Sequence, residues 1–208
     1  MDSNWGSVPS EVRFGIRYLS AHFYPRKYMS RWGVLKPLSV KFVGKVMGYS
    51  PQQYQEELQH FDFFERYFKG EPLDLELPES YIRFFDNLTE DFKSGDVQRI
   101  VTRFHMVTEG VLATTGLHLL REAGERYGLK EFTAGIRRIV EDEARHINFG
   151  LSLVTDREYA VKRIEELYPE ALQIVLDGKE TLSSLAPFEE ILGMMEELKR
   201  ARLAKVMS

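Results

Sequence analysis

The sequence predicts an all-α protein, a four-helix bundle with additional flanking helices in one domain spanning residues 1–208. Three observations carry this. Apolar residues recur at steps of three and four through most of the chain, while the alternation that marks strands is scarce. Two Glu-x-x-His units, Glu57-Leu-Gln-His60 and Glu143-Ala-Arg-His146, lie 86 residues apart, each inside such a periodic stretch. A lone glutamate, Glu109, lies between them in a largely uncharged apolar segment.

The elements follow in order. Residues from about Ser10 to Tyr24 form a first helix, and Pro25 and Pro37 interrupt what comes next. A second helical stretch is expected from Leu38 to Val46. Ser50-Pro51 has the residue types of a helix start, serine at the cap and proline in the first turn, and that helix runs to about Phe68 before Gly70. Glu71 to Pro78 is a loop, and Tyr81 to Phe92 a shorter helix stopped at Gly95. Asp96 caps a long helix reaching Tyr127, with Gly128 ending it. The next helix spans Glu131 to Val154. Two or three more follow, with breaks expected near Pro169, at Asp177-Gly178 and at Pro187. The basic residues Lys199, Arg200, Arg202 and Lys205 suit the negative end of the last helix.

Bulk composition narrows the function. A net charge of −4 and a pI near 5.8 give no electrostatic reason for a nucleic-acid partner. The chain has no cysteine, which excludes disulfides, thiolate-held clusters and cysteine nucleophiles and leaves Glu, Asp and His as metal donors. No apolar run is long enough for a membrane span, and the N-terminal residues lack a secretory pattern, so a cytoplasmic protein is expected.

The candidate site is read helix by helix. In the stretch from Glu131 the inward stripe is Phe132, Ile136, Val140, Glu143, Ile147 and Val154, with His146 at its border. In the stretch from Pro51 it is Tyr54, Glu57, Phe61, Phe64 and Phe68, with His60 beside Phe61. An ionised carboxylate in an apolar stripe is costly without a partner, and a divalent cation is one partner that removes the cost. A buried Glu–His or Glu–Arg hydrogen bond is the other reading for either helix alone. Paired Glu-x-x-His units with a carboxylate from each of two further helices are the donor pattern of di-iron and di-manganese bundles. His105 lies one turn before Glu109 and is read as an outer hydrogen-bond donor or a core histidine. Gly110 permits a close approach beside Glu109. Asp142 is a candidate to orient His60 or His146. His118 is read as structural.

These residues resemble a known group. Thr108-Glu109-Gly110-Val111-Leu112-Ala113-Thr114-Thr115-Gly116 and Glu141-Asp142-Glu143-Ala144-Arg145-His146-Ile147-Asn148-Phe149-Gly150, with Glu57-Leu58-Gln59-His60-Phe61-Asp62-Phe63-Phe64, are similar to the ferritin-like superfamily, and within it to the ribonucleotide reductase small subunit and the ligand-binding oxidases. The likeness covers about residues 50 to 155. It implies a ferritin-like bundle holding two metal ions, iron and/or manganese, that reacts with dioxygen as co-substrate. Glu57, His60, Glu109, Glu143 and His146 would be ligands, with Asp142 supporting a ligand histidine. Glu109 and Glu143 are expected as the bridging or terminal carboxylates.

The chain departs from that group's pattern at three points. The opening carboxylate, thirty to thirty-five residues before Glu57, is absent, and His22, Glu11 or water are the candidates for its place. Phe64 stands where a radical-bearing tyrosine is found, and Phe104 where a cross-linking tyrosine is found. Both substitutions argue against a reductase role and against the cross-link. The expected function is a dimetal oxidase or oxygenase acting on an apolar organic substrate, with a small apolar or fatty-acid-like ligand and a homodimer as expected partners. An iron-handling ferroxidase and a scaffold with a degenerate site are the alternatives.

Overall fold

The computed structural model describes residues 1–28, 31–32 and 52–208, without the side chains of residues 26, 52 and 54. The expected helix from Leu38 to Val46 and the Ser50-Pro51 start lie outside the described residues, as does the side chain of Tyr54. Every extended element among the described residues is helical. Helix α1 is Ser10–Phe23, α2 Gln52–Tyr67 and α3 Glu79–Ser94. A long rod follows in three registers: α4 Val97–Val101, a π-helical segment Thr102–Ala113, and α5 Thr114–Arg126. Helix α6 is Lys130–Ser152, α7 Arg157–Asp177, α8 Lys179–Leu182 and α9 Phe188–Met207.

Local chemistry sets the boundaries. Asp96 accepts from the backbone N–H groups of Gln98 and Arg99, capping the rod where the sequence places its start. Gly95 and Gly128 take positive φ values of 69° and 66° at the ends of α3 and α5, a conformation that other residues adopt only with strain. Asp2 reaches across to accept from the N–H groups of Glu131 and Phe132, so the N-terminal segment caps α6.

Two expectations are corrected. No break occurs near Pro169: α7 runs through it. Pro169 and Glu165, whose carbonyl loses its helical donor, both lie on the exposed face, while the buried Ile164, Leu167 and Ala171 hold the helix against its neighbours. The rod from Asp96 to Tyr127 is also not uniformly α-helical. Its centre is wound with five-residue hydrogen bonding, and the hydroxyls of Thr108 and Thr114 donate to the carbonyls of Arg103 and Glu109, each five residues back.

The π segment is central. It packs on α6, α7, α9 and α5, while α2 packs on α6, and α1 lies against α5 and α2. One core runs through the bundle from Ile16 to Phe64, Val107, Val111, Phe132, Ile136 and Ile164. The rings of Phe63, Tyr67, Phe68 and Phe132 join α2 to α6. Among the described residues, no helix is long and apolar enough to cross a membrane.

Candidate metal centre

The inward faces of α2, the π segment and α6 converge on one buried point. Glu57, Glu109, Glu143 and His146 each offer a donor atom there, and the four atoms lie within 4.8 Å of one another. His60 stands beside them, its Nδ1 3.6 Å from Glu57 Oε2 and 3.7 Å from Glu143 Oε1. His146 Nδ1 lies 3.5 Å from Glu57 Oε1, 3.7 Å from Glu109 Oε1 and 3.7 Å from Glu143 Oε2. The three carboxylates are not placed alike. Glu57 and Glu143 each turn one oxygen to each imidazole. Glu109 faces His146.

The outer side of each imidazole is bound in a reciprocal pattern. His60 Nε2 lies 2.9 Å from Asp142 Oδ2, and His146 Nε2 lies 2.8 Å from Glu56 Oε2. The carboxylate of each helix therefore orients the histidine of the other. A carboxylate accepts, so Nε2 carries an N–H and Nδ1 is the ring nitrogen turned to the centre. Arg145 donates to both outer carboxylates, 2.8 Å to Glu56 and also to Asp142. Glu56 has no place in the sequence-level reading, yet a signal for it exists: acid-Glu-x-x-His occurs twice, as Glu56-Glu57-x-x-His60 and Asp142-Glu143-x-x-His146.

Glu109 is held from behind. His105 Nδ1 is 2.6 Å from Glu109 Oε2, and Gln53 donates to Glu109 Oε1 at 3.3 Å. Gly150 makes room for this arrangement, because a Cβ there would come within 2.2 Å of the His105 side chain. The close approach at Gly110 is made by Arg202 of α9, whose Nε donates to the Gly110 carbonyl at 3.2 Å.

Neither His22 nor Glu11 belongs to this group, although His22 lines a cavity whose wall also carries Glu57, Glu109 and Glu143. His22 is outside the four-residue group; its Nδ1 is 2.8 Å from the Tyr18 carbonyl, and its ring is in edge contact with Tyr18 and Tyr81. Burial pushes its pKa down to about 4, against the opposing hydrogen bond to the Tyr18 carbonyl. Glu11 is exposed in the first turn of α1, beside Ser10. His118 is half-buried on α5 with Glu122 and Arg121 as neighbours.

Three carboxylates this close do not all ionise freely. Burial, then the charges of Glu57 and Glu109, push Glu143 up to about 8. For Glu57 burial acts upward, but the facing imidazoles of His146 and His60 prevail and hold it down at about 2. Burial acts downward on both ligand-side imidazoles. The carboxylates Glu57 and Asp142 nevertheless lift His60 to about 9, and Glu109, Glu143 and Glu57 raise His146 strongly.

The residues present fit a bound cation. His146 Nδ1 and Glu143 Oε2 are buried and have no hydrogen-bond partner, and both face the centre. Leaving such atoms unsatisfied costs about 1–3 kcal/mol each, which a cation would offset. Carboxylates with imidazoles suit iron and manganese. Beside the centre opens a cavity of about 320 Å³, with Glu57, Glu109 and Glu143 on its wall and mostly carbon elsewhere, from Leu19, Phe61, Phe104, Leu112, Leu119 and Ile174 among others.

No family model matches the sequence, and no curated protein matches it. Solved structures do. An R2-like ligand-binding oxidase variant with an aerobically reconstituted Mn/Fe cofactor is 21% identical with a TM-score of 0.80. A variant with an aerobically reconstituted Fe/Fe cofactor is 19% identical with a TM-score of 0.80, and an R2-like ligand-binding oxidase after photoconversion is 18% identical with a TM-score of 0.79. Each alignment covers 97% of this chain and 83% of the other. The chain therefore has the all-α fold of the R2-like ligand-binding oxidases.

Proposed function

We propose that this chain is an oxidoreductase that holds two ions of iron and/or manganese among Glu57, His60, Glu109, Glu143 and His146, and uses dioxygen to oxidise a small apolar molecule. The observation that carries the reading is the set of five inward-facing donors, two of their atoms buried without partners, on the wall of an apolar cavity. The shared fold supports it. Two adjacent ions would supply electrons to dioxygen and stabilise charge on both of its oxygen atoms.

The protein's own part follows from its geometry. Asp142 and Glu56 hold the Nε2 side of each ring, so His60 and His146 turn Nδ1 to the centre, where it can bind an ion once its proton leaves. Arg145 keeps those two outer carboxylates in place and balances part of their charge. His105 and Gln53 restrain Glu109. Phe61, Phe104 and Leu112 exclude water and give an apolar substrate a surface to bury against. Phe64 is fully buried and stacked on Phe23, so this position gives the site no phenol to oxidise.

The test is metal analysis of protein produced with iron and manganese, followed by dioxygen uptake by the reduced, loaded protein. Bound metal with uptake above that of free metal is expected. Protein that binds neither metal removes the reading.

A further inference from the structure

The two imidazoles face unequal surroundings. Around His146 Nδ1 stand Glu57 Oε1, Glu109 Oε1 and Glu143 Oε2, at 3.5, 3.7 and 3.7 Å. Around His60 Nδ1 stand only Glu57 Oε2 and Glu143 Oε1, at 3.6 and 3.7 Å. One position is offered four protein groups, one of them its own terminal carboxylate. The other is offered three, two of them shared.

Among the described residues, no further carboxylate faces His60 Nδ1. Between Glu11 and Glu56 the sequence holds no Asp, Glu or Cys, and its single histidine is His22; this stretch includes all of the residues the structure leaves undescribed. Glu11 is at the surface, and His22 has one ring nitrogen on the Tyr18 carbonyl and its ring between two tyrosines. Asp142 is taken up by His60 Nε2, on the far side of the ring, and His105 backs Glu109. Charge points the same way. Two divalent ions carry +4, and the three carboxylates that face the centre return −3 once ionised, with the smaller share on the His60 side.

We propose that the two metal positions are unequal: the position of Glu57, Glu109, Glu143 and His146 binds its ion tightly, while the position of His60 holds its ion weakly and exchangeably, with small molecules completing its coordination. This rests on the dimetal reading above. It makes the chain a one-plus-one metal protein, whose second ion is set by the metal supply rather than by the protein's donors.

The experiment is a binding isotherm on the full-length, metal-stripped chain, with iron(II) and separately manganese(II), free of oxygen, read by equilibrium dialysis and elemental analysis. Two steps of one ion each are expected, the second weaker by about tenfold or more, the scale on which even outer partners of ligands act. His60→Ala should abolish the second step and leave the first within about twofold. Glu109→Ala should bring the first step down to the level of the second. His22→Phe should leave both steps in place. Circular dichroism melting of each variant checks folding, and His60→Gln serves where His60→Ala does not fold. Two equal steps in the unaltered chain overturn the inequality while leaving the dimetal reading intact, as does loss of the second step in His22→Phe. No bound ion at all overturns the dimetal reading instead.

Discussion

Helices α2 and α6 carry the same short motif, whereas the other two walls of the bundle share nothing. In α2 and α6 an acid, a glutamate and a histidine stand in identical spacing, and the structure pairs them reciprocally: Glu56 with His146, Asp142 with His60. The third wall, the π segment, contributes Glu109. The fourth, α1, brings His22, bound through Nδ1 to its own helix. The contrast teaches that a repeated motif can build a symmetric pair of imidazoles, while the evenness of the finished site depends on single residues from walls that no motif specifies.

The largest effect is expected where the two halves share an atom set. Glu143 faces both imidazoles, so Glu143→Ala removes a donor from each position at once. Metal content by elemental analysis should fall below one ion in ten chains, with dioxygen uptake lost. Retention of both ions would mean that the α2–α6 pair is not the metal-holding half. Next come the outer carboxylates. Glu56→Gln and Asp142→Asn should each weaken metal binding about 10- to 100-fold. The comparison sharpens here, since Glu56→Gln acts on the His146 side and Asp142→Asn on the His60 side. Arg145→Met touches both partners, but Arg145 is half exposed, so its loss should cost less than either carboxylate.

How far the sequence could be read follows the same divide. The α2 and α6 faces were legible because 3.6-residue periodicity places Glu57 and Glu143 among apolar neighbours. Asp96 and Gly128 bound the central rod for reasons of capping chemistry visible in the residues themselves. The π winding was not legible, because a largely apolar run has no register of its own; the threonine hydroxyls and the packing of four neighbouring elements decide it. Pro169 misled because its cost depends on which face it occupies, and the exposed face tolerates the lost hydrogen bond. Gln53 went unnoticed because an amide one turn before the motif is a common residue type, and only the tertiary contact with Glu109 marks it.

A smaller effect probes the support of the third wall. Gly150 lies against His105, and His105 against Glu109. Gly150→Ala should force the imidazole aside, costing about 1–3 kcal/mol of stability by overpacking. In chemical denaturation the midpoint should fall with an unchanged slope. Metal binding should weaken in the first step of the isotherm more than in the second, since Glu109 faces His146 alone of the two imidazoles. Equal weakening of both steps would show that the π segment serves the two halves alike.

The mildest test uses protons. In the metal-free protein Glu143 titrates near 8 and His60 near 9, both above their ordinary values, so the folded chain binds more protons than the unfolded chain as pH rises from about 4.5 to 9. Stability from these two groups is therefore present at the low end of that window and lost as pH rises through it. Glu57, held down at about 2, acts oppositely: its contribution is present above about 4.5 and lost as pH falls below. Metal entry expels the protons on Glu143 and the imidazoles, so loading at pH 7 should release protons, and the stabilisation by metal should grow with pH. The melting temperature of stripped protein should decline from pH 6 to 9 while that of loaded protein does not. Titration calorimetry in two buffers of different ionisation enthalpy counts the protons directly. Parallel melting curves for the two forms would place the bound metal away from these side chains, because only ions that displace those protons can uncouple stability from pH in this window.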